Sequence, residues 1–157
     1  CACVGGYAGE PEEGTCAACP NATWCAGGVL HQCPGNSSSP QRSSAPSDCL
    51  CAPGFGPDGL GGCGECPAGT FAEDFHDGAC TPCFSGTYGG ERGAATNATC
   101  LPCPPGATSA LGSTTYRDCY CGAGFQRYFA TAMVNGTLTT IQDENISCVE
   151  TDPRTSP

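Results

Sequence analysis

Four Cys-x-x-Cys pairs, at Cys16/Cys19, Cys63/Cys66, Cys80/Cys83 and Cys100/Cys103, carry the most chemical potential in this chain. As thiolates such pairs hold zinc; in a βαβ setting they exchange electrons; oxidised, they staple a chain that lacks a core. The setting favours the third reading. The 157 residues hold 17 cysteines but only two histidines, and five Asn-x-Ser/Thr sequons begin at Asn21, Asn36, Asn97, Asn135 and Asn145. Sequons serve as acceptors along the secretory route, where disulfides form and persist. The remaining reactive residues do not converge. Glu73-Asp74-Phe75-His76-Asp77 reads as a solvated loop with a cation site as its rival. Asp143-Glu144-Asn145 could offer carboxylates to calcium, but its spacing to Cys148 is wrong and Asn145 is a sequon, and His31 has no Ser or carboxylate arrangement around it. The chain is therefore read as non-enzymatic, with no metal and no cofactor other than covalent glycans.

Composition shows what the cross-links must replace. Val, Leu, Ile and Phe together number 18 of 157 residues, against 24 glycines and 14 prolines. So little aliphatic mass cannot offset a backbone ordering cost of roughly 1–2 kcal/mol per residue. A disulfide closing a loop of about 15 residues contributes ~3 kcal/mol. The net charge of −10, with five arginines and no lysine, argues against nucleic acid and anionic lipid as partners. Solubility is the plain reading of that acidity, and calcium uptake the sharper one. No apolar run approaches the ~20 residues of a membrane span, so no membrane insertion is expected in this segment. With no signal peptide present, the sequence reads as a mature segment or a piece of a longer secreted chain, extracellular or at the cell surface.

One short unit recurs: Cys-x-x-Gly-(Thr/Tyr/Phe), a polar loop, then a closing cysteine. It is seen from Cys3-Val4-Gly5-Gly6-Tyr7 to Cys16 and from Cys66-Pro67-Ala68-Gly69-Thr70-Phe71 to Cys80, and again from Cys51, Cys83, Cys103 and Cys121. Glycine permits a tight positive-φ turn, and the next side chain then covers the bridge as a miniature core. Units that touch mainly their neighbours should stack into a rod. The fold class expected is small and disulfide-rich, mostly irregular with short β-hairpins, an elongated tandem array. Its divisions are a first repeat group over 1–50 with a Ser/Pro-rich loop at 36–47, a second group over 51–120, a terminal module over 121–148 and a tail over 149–157.

These spacings resemble the ephrin-receptor-like cysteine-rich repeats, relatives of EGF-like and tumour-necrosis-factor-receptor-like modules. The resemblance rests on Cys-x-Cys-x-x-Gly-(Phe/Tyr) at Cys1, Cys49 and Cys119 and on Cys-x-x-Cys-Pro-x-Gly-Thr-Phe at Cys63. The stretch from Cys16 through Trp24-Cys25-Ala26-Gly27-Gly28 to Cys33-Pro34 is similar to a variant in large secreted protist and algal surface proteins. Together these cover 1–125. The resemblance, with the repeat, implies that each Cys-x-x-Gly cysteine bonds to the next closing one. That pairs Cys3–Cys16, Cys33–Cys49, Cys51–Cys63, Cys66–Cys80, Cys83–Cys100, Cys103–Cys119 and Cys121–Cys148. Cys19–Cys25 completes eight bridges, and a crossed arrangement between Cys16 and Cys33 stays open. Cys1 is left over: it closes a unit absent from this chain, bonds to another subunit, or is a free thiol.

Residues 126–141 read as a hairpin around Asn135-Gly136. Its apolar side chains Tyr128, Phe129, Met133, Val134, Leu138 and Ile141 form a candidate assembly surface, covered either by the last repeat or by a neighbouring subunit. Ser37 to Pro46 and Thr151 to Pro157 are either O-glycosylated or hydroxyproline-bearing stretches, or plain flexible ones. The expected function is a structural module of an extracellular glycoprotein, a building block of a surface fibre, flagellar hair or wall/coat layer. Its partners would be copies of itself or neighbouring extracellular glycoproteins. The alternative is the stalk or ligand-binding part of a receptor ectodomain, with Trp24, Tyr116, Arg117, Tyr120, Arg127 and Tyr128 as anchors.

Overall fold

A computed structural model describes residues 2–10, 12–129, 131–140 and 145–151. Among these the chain forms nine separate two-stranded antiparallel pairs and three short 3-10 turns, with no α-helix. The molecule exposes 9907 Å² of surface, about a third more than the roughly 7,300 Å² of a compact globule of its mass. The fold is small, disulfide-rich and drawn out.

Every unit starts with the same turn, and its chemistry explains the recurring residues. In Cys66-Pro67-Ala68-Gly69-Thr70 the amide of Thr70 donates to Pro67 O at 3.1 Å, with Gly69 at φ +82° in the third position. That is a type II turn, which requires a left-handed residue there. The Thr70 hydroxyl donates to the same carbonyl at 2.7 Å, as do Thr23 to Pro20, Ser37 to Pro34 and Thr87 to Phe84. The chain leaves the turn as a strand and crosses the loop. It then returns beside itself, as Thr70–Phe71 does with Thr81–Pro82 and Thr87–Tyr88 with Leu101–Pro102. Two units use the turn without glycine: Ala22 sits at φ +62° and Asn36 at φ +60°.

The left-handed residue also joins each unit to the next. The amides of Gly6, Ala22, Gly54, Gly69 and Gly86 donate to Cys25, Ser39, Ala72, Gly89 and Ser109, each the sixth residue after the next unit's opening cysteine. Their carbonyls accept from the amides of those opening cysteines, Cys19, Cys33, Cys66, Cys83 and Cys103. A residue left-handed in φ thus has both its amide and its carbonyl bonded by the same neighbour.

Where the linker shortens from Cys-x-x-Cys to Cys-x-Cys, this register shifts. At Cys49-Leu50-Cys51 and Cys119-Tyr120-Cys121 the second cysteine is itself in the strand, paired with Ser37 and Ala107. The acceptors Asn36 O and Gly106 O then take the amides of Ala52 and Gly122, one residue further on. Because side chains alternate faces along a strand, one residue less turns the next cysteine to the opposite side. Residues Phe125–Arg127 pair with Cys148–Glu150, and Thr151 donates to Gly124 O at 2.9 Å. The expected tail over 149–157 therefore begins with strand residues, and Glu150 opposite Phe125 stands where Cys51 and Cys121 stand. The remaining residues 152–157 of that tail lie outside the described residues.

Units do not touch their neighbours alone. A Cβ on Gly54 would lie 2.5 Å from Gly93 O, two units on, and one on Gly69 would overlap Gly112 O. Gly6 abuts Arg42 O in the same way, and the Arg42 guanidinium lies 6.0 Å from the Tyr7 ring. The stack is tighter than the nearest-neighbour rod expected from the spacing, because the turns are bare backbone and admit second neighbours.

The buried interior is mostly sulfur. Cys19, Cys25, Cys66 and Cys83 are almost fully enclosed, and Phe71, Cys83 and Ala94 form an apolar cluster with Cys100 against it. Serines fill the rest. Ser39 and Ser109 are buried and donate to Thr23 O (2.8 Å) and Thr87 O (2.7 Å), and Ser43 and Ser113 bond to Pro40 O and Ala110 O. The Ser/Pro-rich loop at 36–47 is accordingly ordered, and leads into the 3-10 turn Pro46–Asp48. Its counterpart, Tyr116–Asp118, is tied by the Asp118 carboxylate, which accepts from Thr114 and Thr115 amides at 2.9 Å each.

Two predictions follow from these turns. Gly69→Ala combines a left-handed backbone costing about 1–2 kcal/mol with overlap on Gly112 O. Urea unfolding of the oxidised protein should show a loss of at least ~2 kcal/mol, whereas Gly78→Ala, which meets open space, should change little. The Thr115 and then the Thr114 amide hold the Asp118 carboxyl below the usual carboxylate range. Its contribution is present above the unfolded value near 4 and disappears as pH falls through the lower folded value. Wild type should melt above Asp118→Asn at pH 7, with the gap closing under acid.

Candidate functional site

The structure joins Cys3–Cys16, Cys19–Cys25, Cys33–Cys49, Cys51–Cys63, Cys66–Cys80, Cys83–Cys100, Cys103–Cys119 and Cys121–Cys148. Cys1 lies outside the described residues. Every Cys-x-x-Cys pair is thereby split between two bonds, one closing a unit and one opening the next. Neither sulfur is left as a thiolate. Among the described residues no group of three or more His, Cys, Asp or Glu is placed to hold a metal ion.

The acidic loop around His76 is used in structure. The His76 backbone exchanges two hydrogen bonds with Cys51, at 2.8 and 3.1 Å, tying the loop to the opening of its neighbour. Glu73 accepts the amide of Asn97 at 3.2 Å, and His76 Nδ1 lies 3.1 Å from Asp74 O. These carboxylates do not converge with the imidazole on one point. His31 stacks on Trp24, ring centroids 4.1 Å apart and 13° from parallel, as the cross-strand partner in Thr23–Ala26 and Val29–Gln32. Asp143 and Glu144 lie outside the described residues.

The sequons occupy different settings. Asn97 is exposed in the 3-10 turn Asn97–Thr99, capped by the Thr96 hydroxyl, which accepts from the Ala98 amide. Asn135 is exposed at the hairpin tip, at φ +53°. Asn145 is exposed beside buried Ile146, whose amide and carbonyl both bond to the Tyr116 hydroxyl, at 2.8 and 3.1 Å. Asn36 occupies the left-handed turn position, and Asn21 lies inside the Cys19–Cys25 loop. Asn21 also borders a shallow hollow with Ser38, Ser39, Pro40, Leu50 and the exposed Phe75 ring.

The terminal hairpin brings several apolar side chains together in solvent. Thr131–Val134 pairs with Thr137–Thr140, with Met133 opposite Leu138. Met133 and Leu138 are each 67% exposed, and Tyr128, Phe129 and Val134 each more than half. The hairpin is shorter than the 126–141 expected, because Gln126 and Arg127 pair with Val149 and Cys148 instead. Among the described residues its two strands pair with no third strand, and the side chains of Met133, Val134 and Leu138 stand exposed. Arg127 lies 5.7 Å from the Phe129 ring, and the Tyr128 amide donates to Ser147 O at 2.8 Å. Ile141 lies outside the described residues. The other proposed anchors are scattered: Tyr120 is exposed, while Tyr116 is half-buried and edge-on to Tyr88 at 5.9 Å.

This architecture belongs to a cysteine-rich extracellular repeat protein. Comparison with known proteins agrees at that level. The chain is 39% identical over 66 residues to thyroglobulin of Rattus norvegicus, covering 42% of this chain and 2% of that protein. It is 49% identical over 49 residues to the sushi, von Willebrand factor type A, EGF and pentraxin domain-containing protein 1 of Mus musculus, covering 31% of this chain and 1% of that protein. The Rattus norvegicus form of the latter matches over 118 residues at 32% identity, 74% of this chain and 3% of that protein. The chain thus spans a very small part of each of these relatives. No family model matches.

The oxidised state has a direct check. Thiol titration of the denatured, unreduced chain should find no reactive thiol at the sixteen bonded cysteines, and metal analysis no stoichiometric zinc. Mostly free thiols would overturn the account of what holds the chain together.

Proposed function

We propose that this chain is a non-enzymatic structural module of an extracellular glycoprotein, of the ephrin-receptor-like type, serving as a building block of a surface fibre, flagellar hair or wall/coat layer. The observation that carries this reading is the apolar hairpin beside the disulfide ladder, whose Met133, Val134 and Leu138 are exposed. A two-stranded hairpin is marginal in water by itself. Met133 and Leu138 share one face and, among the described residues, stand exposed in a hairpin paired with no third strand, an arrangement that favours a cover. The hairpin segment carries no charge on a chain of net charge −10, so a second copy meets less repulsion there than elsewhere.

The occupant proposed is a second copy of this chain. Contacts between unlike surfaces extend into filaments when the rotation does not close a ring. The contribution would be mechanical. Closed disulfide loops limit how far the chain lengthens under load, and glycans at the exposed sequons keep the backbone hydrated. A relative whose printed name lists several kinds of domain, and of which this chain covers 1%, fits a module rather than a self-contained activity.

Sedimentation and negative-stain electron microscopy of the glycosylated protein test this. Wild type should associate into linear oligomers with rising concentration, and Met133→Ser/Leu138→Ser should remain dispersed with its disulfides intact. A dispersed wild type that saturably binds a different extracellular protein through the hairpin would replace this reading with the receptor-stalk one.

A further inference from the structure

Two of the five sequons stand at opposite extremes of constraint. In Asn135-Gly136-Thr137 the acceptor is at the tip of a solvent-surrounded hairpin, with Thr137 exposed and Asn135 at the turn. In Asn21-Ala22-Thr23 the Ala22 backbone, the Thr23 hydroxyl and the Thr23 carbonyl are all bound internally. The Ala22 amide donates to Ser39 O and the Ala22 carbonyl accepts from Cys33, both at 2.9 Å. Thr23 is buried, its hydroxyl donates to Pro20 O at 2.7 Å, and its carbonyl accepts from the Ser39 hydroxyl at 2.8 Å. The tripeptide lies inside the Cys19–Cys25 loop, the shortest in the molecule at a separation of 6, and both of those cysteines are enclosed.

A sequon is defined by its asparagine and by the hydroxyl two residues on, so both must be presented to the transferase. In the folded chain the Thr23 hydroxyl is sequestered. Releasing it requires opening the turn, which the Cys19–Cys25 bond and the bonds to the following unit hold shut. We propose that Asn21 accepts an N-linked oligosaccharide only while Cys19 and Cys25 are still thiols, and that closing this bond ends its capacity as an acceptor.

The two competing steps are distinct in chemistry. In the first, Asn21 Nδ2 bonds to the anomeric carbon of an oligosaccharide carried on a polyprenyl pyrophosphate. The bond from that carbon to the pyrophosphate oxygen breaks, and one amide proton passes to a base of the transferase. In the second, Cys19 and Cys25 give up two protons and two electrons to a disulfide of a secretory oxidoreductase, which is reduced to its dithiol. Whichever happens first decides the state of Asn21, whereas Asn135 keeps its acceptor geometry after folding. This goes beyond the structural reading above and stands or falls separately from it, since it makes no use of the hairpin face.

Site-resolved glycopeptide mass spectrometry on total cellular chain from a secretory host tests the proposal. Three samples suffice: wild type, Cys19→Ser/Cys25→Ser, and wild type grown with dithiothreitol. Because the readout is peptide occupancy, a variant that fails to fold is still informative. The unoccupied fraction at Asn21 should fall severalfold in the second and third samples, with Asn135 unchanged. Equal Asn21 occupancy in all three samples, whether full, partial or nil, overturns the proposal, and so does a parallel rise at Asn135.

Discussion

One residue in each of five units holds this molecule in line. The left-handed residue of the turns at Gly6, Ala22, Gly54, Gly69 and Gly86 presents its amide and its carbonyl to the same neighbour, so adjacent units are fastened by a matched donor and acceptor at 2.6–3.2 Å. Such bonds are individually modest, about 0.5–1.5 kcal/mol net. They are effective because the turn is already fixed by a disulfide at its base, so little further entropy is lost in making them. Sulfur closes each loop, and the backbone then aligns loops that could not align themselves by apolar burial.

The interior follows from that division of labour. With few aliphatic side chains to bury, cystines occupy the centre and small hydroxyls fill the gaps between them. Ser39 and Ser109 are equivalent in this respect: each sits at the carbonyl that receives the preceding unit's turn amide, and each returns a hydroxyl to that unit. In other units the same position is held by Cys25, Ala72 or Gly89, all small enough for the turns to meet. The same closeness excludes a Cβ at Gly54 and Gly69, where a carbonyl two units away occupies the space.

Much of the architecture can be read from spacing because both the turn and the bridge demand particular residues. Gly6, Gly54, Gly69, Gly86, Gly106 and Gly124 announce their turns, and Asn135-Gly136 announces the hairpin. Ala22 and Asn36 conceal theirs, since a neighbouring hydroxyl and the cysteine frame hold a left-handed backbone without glycine; the better signal there is Cys-Pro followed by Thr23 or Ser37. Second-neighbour contacts at Gly54 and Gly69 leave no trace in side-chain pattern, being made by carbonyls. The Ser/Pro-rich composition of 36–47 suggests mobility as readily as order, and only burial of Ser39 and Ser43 decides between them. A sequon motif likewise carries no sign of whether its hydroxyl faces solvent, which separates Asn21 from Asn135.

The reach of the turns to second neighbours has a bearing on how such arrays grow. Gly6 lies beneath Arg42, Gly54 beneath Gly93 and Gly69 beneath Gly112, and each upper residue is itself left-handed, at φ +67°, +66° and +72°. Inserting a copy between Cys66–Cys80 and Cys83–Cys100 would bring a different carbonyl over two of these three glycines and strand their present mates. Units are therefore not interchangeable beads. Gene duplication should preserve whole phased sets, with the shortened Cys-x-Cys joints as the natural places for a set to be spliced in or cut out.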